Sequence, residues 1–216
     1  MIELVILLLA SYITGSFPTS IIVTRVTKNI DIREHGSGNA GTTNVFRVLG
    51  WKYAIFVLTF DIFKGWLPTA VYATTIFQQL PVPDQGLVQI LCGFAAVFGH
   101  TFPIFAGFRG GKGVSSLIGV LLALFPLALP ICLLVGIVVI ITTGYVSLGS
   151  ISAAVALPII FLILPRLGLI NPSLFLIVFS LLVPWFIIYT HRSNISRIRN
   201  GTENRFEKAI IFKKKN

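Results

Sequence analysis

Long apolar runs alternate with polar segments along this chain of 216 residues. A helix needs about 20 residues to cross a hydrocarbon layer of roughly 30 Å. Runs near that length cover residues 2–24, 53–77, 86–106 and 172–190, and a shorter run covers 150–165. The pattern predicts an all-α, polytopic integral membrane bundle, because a helix in lipid satisfies its own backbone hydrogen bonds.

The apolar segment 114–142 is either one long tilted helix or two short helices joined at FPLALP, residues 125–130. Positive charge decides between these readings, since loops rich in Lys and Arg stay cytoplasmic. Cations gather in the loop after the first run and in the tail: Arg25, Lys28, Arg33, Arg47 and Lys52, then Arg192, Arg197, Arg199, Arg205, Lys208 and Lys213 to Lys215. Both regions share one side only if the number of spans is odd. We therefore predict seven transmembrane helices, with the N-terminus outside, the C-terminus cytoplasmic and a proline break inside 125–130.

The composition agrees with a membrane protein. The chain is 55% hydrophobic and 11% charged, whereas soluble domains average about 25% charged residues. No long polar stretch remains for a soluble domain, so we expect residues 1–216 to form a single membrane-embedded domain. The net charge of +10 is explained by the positive-inside rule and by attraction to anionic headgroups, so we expect membrane lipids and no nucleic acid as partners.

The cysteines and the first apolar run argue against a disulfide or metal site and against a cleaved signal peptide. Cys92 and Cys132 lie inside apolar runs, and no CxxC, CxxH or HExxH spacing is present, so we expect neither a disulfide nor a metal site. The first apolar run lacks a basic start, carries Glu3 and has no A-x-A cleavage site. We interpret it as a retained span rather than a signal peptide.

Three polar segments interrupt the apolar pattern. The first is GSGNAGTTNVFRVLG (36–50), the second GHTFPIFAGFRGGKG (99–113) and the third HRSNISRIRNGTE (191–203). With seven spans, the first and third segments, residues 109–113 and residues 144–150 all fall on one membrane face. Glycine-rich turns, hydroxyls and cations on one face predict a single site for a phosphorylated substrate.

The first polar segment suits an anion. Its glycines permit positive φ, so that consecutive amides can form an anion-binding nest. The side chains of Ser37, Asn39, Thr42, Thr43 and Asn44 add hydrogen-bond donors, and Arg47 can bind phosphate through two hydrogen bonds. The alternative is an ordinary loop with helix caps, which the same residue types favour. The low charge and high glycine content favour the binding site.

The second polar segment ends in FRGGKGVSS, which resembles the end of a P-loop. Gly113 stands where that motif needs Ser or Thr, and no strand precedes it, so nucleotide binding is not expected. Exposed amides of Gly110, Gly111 and Gly113, the charges of Arg109 and Lys112, and a following helix N-terminus would still suit an anion. The alternative is a cytoplasmic turn that carries its usual positive charge.

Two histidines lie beside glycine-rich segments, namely His100 and His191. A lone interfacial histidine is usually a polar anchor, but this placement favours proton transfer or phosphate contact. Of the three histidines in the chain, His35 is the least supported candidate for either role.

Other polar residues lie inside the predicted spans. Asp61 and Lys64 are three apart on one helix face, which predicts an ion pair directed into the bundle. They either contact substrate or hold helices together. Ser147 and Ser150 are either cavity donors or caps of the sixth helix.

These motifs resemble the bacterial acyl-phosphate:glycerol-3-phosphate acyltransferases, the PlsY family, over nearly the whole chain. The resemblance rests on the three polar segments, on DIFKG in the second span and on YVSLGS; Thr42-Thr43 replaces the Ala-Thr common in the family. It implies a seven-helix enzyme of the inner membrane with a cytoplasmic active site and no cofactor. The implied reaction transfers a fatty acyl group from acyl phosphate to the sn-1 hydroxyl of glycerol 3-phosphate, the first acylation of phospholipid synthesis.

The resemblance and the residue chemistry together predict the site. We predict Ser37, His100 and His191 as catalytic residues. The predicted substrate-binding residues are Gly38, Asn39, Thr43, Asn44, Arg47, Gly111, Lys112, Ser147, Ser150 and Asn194. We expect Ser37 to donate a hydrogen bond to a phosphate or to the acyl carbonyl rather than to act as a nucleophile. The reason is that the sequence pattern indicates no Ser-His-acid triad. The proton acceptor is His100, His191 or the leaving phosphate.

Two other classes compete with an enzyme. A transporter of organic phosphates would need a similar cationic pocket, but it would commonly show internal repeats with broken helices at the midplane, and no repeat is visible. A lipid-binding scaffold would leave the glycine-rich segments unexplained. As partners of an enzyme we expect acyl phosphate, glycerol 3-phosphate and the soluble enzyme that supplies the acyl phosphate.

Overall fold

Helices are the regular elements of the computed structural model, which describes residues 1–80, 82 and 84–206. The α-helices are α1 (Ile2–Gly15), α2 (Thr19–Lys28), α3 (Thr42–Leu49), α4 (Trp51–Leu67), α5 (Ala73–Ile76), α6 (Gln85–Thr101), α7 (Val114–Leu124), α8 (Ala128–Thr143), α9 (Val146–Ile163), α10 (Leu174–Thr190) and α11 (Arg192–Arg199). Short 3-10 helices cover Ile32–Glu34, Phe77–Gln79 and Ile104–Ala106, and a π-helical turn covers Pro68–Tyr72. Within the described residues this confirms the all-α prediction.

Four helical segments of the described chain are long and apolar enough to cross a membrane: Ile2–Lys28, Trp51–Ile76, Gln85–Ala106 and Val146–Ile163. A fifth arises if α10 and α11, bent by 61° at their junction, count as one span. Helices α7 and α8 are apolar but have only 11 and 16 residues. The number of seven spans and the sides of the two termini stay predictions. The tail cations Lys208 and Lys213 to Lys215 lie outside the described residues.

The chain forms two compact units, Met1–Phe125 and Pro126–Asn216. Their boundary falls in the predicted proline break, since α7 ends at Leu124 and α8 begins at Ala128. Pro130 lies in the first turn of α8, where a missing amide costs no helix hydrogen bond. The break is therefore confirmed, and the single functional domain stays a prediction.

Glycines bring helices of the first unit into backbone contact. A Cβ added to Gly65 of α4 would lie 2.0 Å from the carbonyl oxygen of Ser116 in α7. A Cβ on Gly15 of α1 would lie 2.0 Å from the carbonyl oxygen of Ala96 in α6. Such small-residue contacts are how membrane helices approach closely. They fix α6 and α7, the two helices that flank the second polar segment.

A small apolar core supports the first polar segment. Ile32, Val45 and Val57 are fully buried where α2, α3 and α4 meet. Because Ile32 precedes this segment and Val45 lies within it, burial of both side chains anchors the glycine-rich loop between them.

In the second unit, the described end of the tail folds back on the turn between α8 and α9. The Phe206 amide donates to the carbonyl of Gly144 at 2.8 Å. The Arg205 guanidinium donates to the carbonyl of Thr143 and lies 4.9 Å from the centre of the Tyr145 ring. These contacts bring the third polar segment close to Ser147.

Candidate active site

The Asn44 side chain organises the loop of the first polar segment. Its amide nitrogen donates to the carbonyls of Ile32 at 3.1 Å and His35 at 2.8 Å. Its amide oxygen accepts from the Ser37 amide at 2.8 Å. Asn44 is only 1% exposed, so the structure uses this side chain to shape the loop. Its predicted contact with substrate stays a prediction.

Backbone amides of the two glycine-rich segments donate inside the protein. The amides of Ser37 and Gly38 donate to Asn44 and to the His35 carbonyl. In the second segment, the amides of Gly110 and Gly111 donate to the carbonyls of Thr101 and His100. These four amides therefore already have acceptors inside the protein, and the predicted binding of substrate by Gly38 and Gly111 stays a prediction.

Glycine is required in the first segment for a different reason. Gly36 and Gly38 have φ of +61° and +72°, a region that favours glycine. A Cβ on Gly36 would also lie 2.2 Å from the side-chain oxygen of Asn44. The glycine content thus reflects a tight turn closed by Asn44.

Asp31 and Arg33 connect the first two polar segments. Arg33 donates to the Asp31 carboxylate through Nε at 3.0 Å and Nη2 at 2.7 Å, and Arg25 lies 3.4 Å away. The hydrogen bonds from Arg33 hold the pKa of Asp31 well below its usual range, and Asp31 in turn raises the pKa of Arg33. Arg33 Nη1 also donates to the carbonyl of Ala106 at 2.8 Å. The loop after α2 is thereby tied to the loop after α6.

The N-termini of α3 and α7 lie side by side. The hydroxyls of Thr42 and Ser115, in the first turns of these helices, are 3.5 Å apart. Unpaired amides give each helix N-terminus a partial positive charge. Arg47 follows in α3, on the same face as Thr43, and Lys112 immediately precedes α7. Two positive helix ends with two cations nearby form an arrangement that attracts phosphate.

The His100 side chain lies beneath the second polar segment. It is 6% exposed at the end of α6. A Cβ on Gly111 would lie 2.1 Å from His100 Nε2, so only glycine fits above the ring. Lys112 follows directly and is half-buried.

The predicted ion pair of α4 is present in the first unit. Lys64 Nζ lies 2.8 Å from Asp61 Oδ1, and both side chains are buried. His100 Nδ1 lies 3.7 Å from the same carboxylate oxygen, a neighbour that the sequence pattern does not predict.

The Glu203 carboxylate joins two polar motifs of the second unit. It accepts from Ser147 at 2.9 Å, from Asn194 at 2.6 Å and from Arg197 at 2.7 Å. Burial raises the pKa of Glu203, but these hydrogen bonds outweigh it and leave the pKa below its usual value. Two predicted binding residues, Ser147 and Asn194, therefore meet at one carboxylate.

His191 lies at the junction of α10 and α11 and is 3% exposed. Its Nδ1 lies 2.8 Å from the carbonyl oxygen of Ile187. Because a carbonyl only accepts, Nδ1 carries the hydrogen in this contact. In the neutral form of such a ring the basic nitrogen is Nε2.

The remaining predicted residues are distributed over both units. In the first unit, Ser37, Asn39, Thr43 and Arg47 are partly buried and Gly38 is exposed. In the second unit, Ser150 donates to the carbonyl of Val146 in its own helix at 3.0 Å. The structure thus joins the first and second polar segments in one unit and Ser147 with the third segment in the other. Their convergence into one pocket stays a prediction, as do the individual roles.

Sequence reasoning missed the organising roles of Arg33 and Glu203. It treats Arg33 as one more loop cation and Glu203 as the end of the third segment. The available signal is the scarcity of acids, with 7 Asp and Glu against 17 Lys and Arg. An acid next to a cluster of cations in such a chain is a strong candidate for an ion pair.

Comparison with known proteins gives one consistent answer. Residues 5–201 match the glycerol-3-phosphate acyltransferase family. A glycerol-3-phosphate acyltransferase of Chlorobium chlorochromatii is 44% identical, with 95% of this chain and 97% of the relative covered. One of Chlorobaculum parvum is also 44% identical, with the same shares covered.

Solved structures agree with this assignment. The crystal structure of PlsY (YgiH), an integral membrane glycerol 3-phosphate acyltransferase, in its glycerol 3-phosphate form is 34% identical. It matches with a TM-score of 0.80 over 94% of this chain and 95% of that chain. The lysophosphatidic acid form matches with a TM-score of 0.78 at 33% identity, over the same shares.

Proposed function

The chain belongs to the PlsY family of glycerol-3-phosphate acyltransferases, and from this membership we propose which acyl donor and which hydroxyl it uses. As a member of the family it is an integral membrane enzyme that acylates glycerol 3-phosphate. We propose that the donor is a fatty acyl phosphate and that the acceptor is the sn-1 hydroxyl. The products are then 1-acyl-glycerol 3-phosphate and inorganic phosphate, in the first acylation step of phospholipid synthesis.

The observation that supports this proposal most is the pairing of the N-termini of α3 and α7. Both substrates would carry a phosphate, and the two helix ends are joined through Thr42 and Ser115 at 3.5 Å. Arg47 and Lys112 add full charges to these ends. Arg47 can bind two phosphate oxygens at once, whereas Lys112 supplies a point charge. We assign the phosphates of glycerol 3-phosphate and of the donor to these two cations.

The proposed chemistry is a single displacement on an activated donor. The sn-1 oxygen forms a bond to the acyl carbon, the bond from that carbon to the phosphate oxygen breaks, and the hydroxyl proton leaves. Asp31, Asp61 and Glu203 each already contact a cation, so these three carboxylates are disfavoured as the base. We assign the proton to the leaving phosphate, with Nε2 of His191 as the alternative acceptor. The protein then contributes orientation and oxyanion stabilisation.

We also propose the orientation in the membrane. The excess of cations in the first loop and the tail favours the cytoplasmic side of the inner membrane for the polar segments. Four of the seven predicted spans coincide with helical segments long enough to cross a membrane, and the apolar helices α7, α8 and α10 lie at the other three predicted positions. A cytoplasmic site would receive glycerol 3-phosphate and the donor from soluble enzymes, and the acyl chain would enter from the bilayer.

The deciding experiment measures phosphate release by detergent-purified protein from synthetic acyl phosphate. We expect release that depends on glycerol 3-phosphate and equals the amount of acylated product. Acyl-coenzyme A in place of acyl phosphate should give no product, and analysis of the product should place the acyl group at sn-1. Acylation from acyl-coenzyme A alone would overturn the donor assignment. Transport of labelled glycerol 3-phosphate into vesicles without chemical change would overturn the enzymatic proposal.

Ser37→Ala should lower kcat by about 10²- to 10³-fold, the loss typical of removing one oxyanion donor. No acyl group should be found on the wild-type protein after quenching, since Ser37 is proposed to donate and not to attack. Mass spectrometry of protein quenched during turnover tests this. The control is Thr27→Ala, which removes an exposed hydroxyl of α2. Its kcat should equal that of the wild type. A stable acyl group on Ser37 would replace the single displacement by a covalent mechanism.

A further inference from the structure

Three ionisable side chains meet inside the first unit. Asp61 and Lys64 come from α4, and His100 comes from the end of α6. All three are at most 6% exposed. Asp61 Oδ1 lies 2.8 Å from Lys64 Nζ and 3.7 Å from His100 Nδ1. Ionisable groups in a membrane bundle are costly and are kept only with partners and a role.

Lys64 extends this cluster to the break between the first two helices. Its Nζ donates to the carbonyl of Phe17 at 2.9 Å. Phe17 lies between α1 and α2, where a turn leaves backbone carbonyls without a helix partner. The cluster therefore holds α4, α6 and the α1–α2 break in one fixed arrangement.

His100 extends the cluster in the opposite direction, to the second polar segment. The amide of Gly111 donates to the carbonyl of His100 at 3.1 Å, and the amide of Gly110 donates to that of Thr101 at 3.1 Å. A Cβ on Gly110 would lie 2.2 Å from the His100 carbonyl oxygen, and one on Gly111 would lie 2.1 Å from Nε2. The imidazole is thus the surface on which the backbone before Lys112 rests.

We propose that Asp61, Lys64 and His100 are positioning residues that fix Gly110 and Gly111, and through them the charge of Lys112. This inference rests on the proposed function, since Lys112 must bind a substrate phosphate for its placement to matter. His100 then acts through the backbone of Gly111 and does not touch substrate. The tight cover of Nε2 by Gly111 favours this role over the proton transfer predicted from sequence.

The two roles of His100 predict different kinetics. If His100 positions Lys112, His100→Asn and Asp61→Asn should raise the KM of at least one phosphorylated substrate by up to about 100-fold, the cost of losing the charged hydrogen bond from Lys112. The pH profile of kcat should keep its shape. If His100 accepts the proton, kcat should fall, KM should change little, and one limb of the pH profile should vanish. This second result would overturn the proposal.

A double-mutant cycle between Gly111 and His100 tests the contact itself. Gly111→Ala alone should raise KM strongly, because its Cβ collides with the ring. His100→Ala removes the ring that the new Cβ would meet. The change in KM of the double variant, expressed as a free energy, should therefore be much smaller than the sum of the changes in the two single variants. Additive losses would overturn the proposal. If Asp61→Asn fails to fold, this cycle still tests whether the His100 ring positions Gly111.

Thr69→Val is the matched control. Thr69 is fully buried in the same unit and donates within its own helical segment to the Gly65 carbonyl, so its replacement reports general loss of packing. Its KM values should match those of the wild type. An inactive wild type would refute the proposed function. An active wild type with unchanged KM values in folded His100→Asn and Asp61→Asn variants would refute only this inference.

Discussion

Arg47→Ala and Lys112→Ala should each raise the KM for a phosphorylated substrate by about 10- to 100-fold, the cost of a lost hydrogen bond to a charged group. Each change leaves a phosphate oxygen without a charged partner beside the N-termini of α3 and α7. The measurement is initial rate against glycerol 3-phosphate and against acyl phosphate, varied separately. The substrate with the larger change in KM identifies the phosphate that each cation holds.

Conservative variants separate charge from geometry. Arg47→Lys keeps the charge but loses the planar fork that binds two oxygens, so it should recover only part of the affinity. Lys112→Arg keeps the charge but replaces a compact ammonium by a larger planar head, so it should also recover only part of the affinity. Lys52→Ala removes an exposed cation at the start of α4 and should leave both KM values unchanged. Unaltered kinetics in both alanine variants would remove the basis for the anion site.

The helices could be predicted from the apolar pattern because hydrophobic runs and prolines act locally. The predicted run 53–77 is found as Trp51–Ile76, and the run 86–106 as Gln85–Ala106. The break after Leu124 was also predictable, since FPLALP contains two prolines. The short amphipathic helix α3 was not, because its residues follow a glycine-rich stretch without a break and read equally well as part of one loop. Its existence depends on burying Val45 against α2 and α4, a contact between distant parts of the chain.

The same difference between local and long-range interactions applies to the polar contacts. The pair of Asp61 and Lys64 follows from a spacing of three on a helix and is confirmed. The proximity of His100 to Asp61 depends on how α4 packs on α6, which no local spacing encodes. The glycines illustrate a second limit, since composition indicates that a turn is tight but not which acceptor its amides meet. Asn44 and the carbonyls of His100 and Thr101 take that role here.

Glu203→Gln should destabilise the second unit by roughly 1–3 kcal/mol, the cost of weakening a buried charged acceptor shared by several donors. The substitution keeps the size of the side chain and removes the charge that pairs with Arg197. Ser147 and Asn194 both donate to Oε1 of Glu203, and an uncharged amide oxygen there would hold them more weakly, so activity should fall as well. Thermal unfolding in detergent measures the first effect. Glu34→Gln, at an exposed carboxylate, is the control and should leave the unfolding temperature unchanged.

The pH dependence distinguishes the charge of Glu203 from its shape. Because folding lowers the pKa of Glu203, its charge stabilises the folded state fully above the ordinary glutamate pKa of about 4.3. That contribution is lost as the pH falls through the folded-state pKa. The gap in unfolding temperature between wild type and Glu203→Gln should therefore be wide at pH 7 and narrow toward pH 4 and below. An equal gap at every pH would mean that Glu203 acts through packing, and that Ser147 and Asn194 do not depend on its charge.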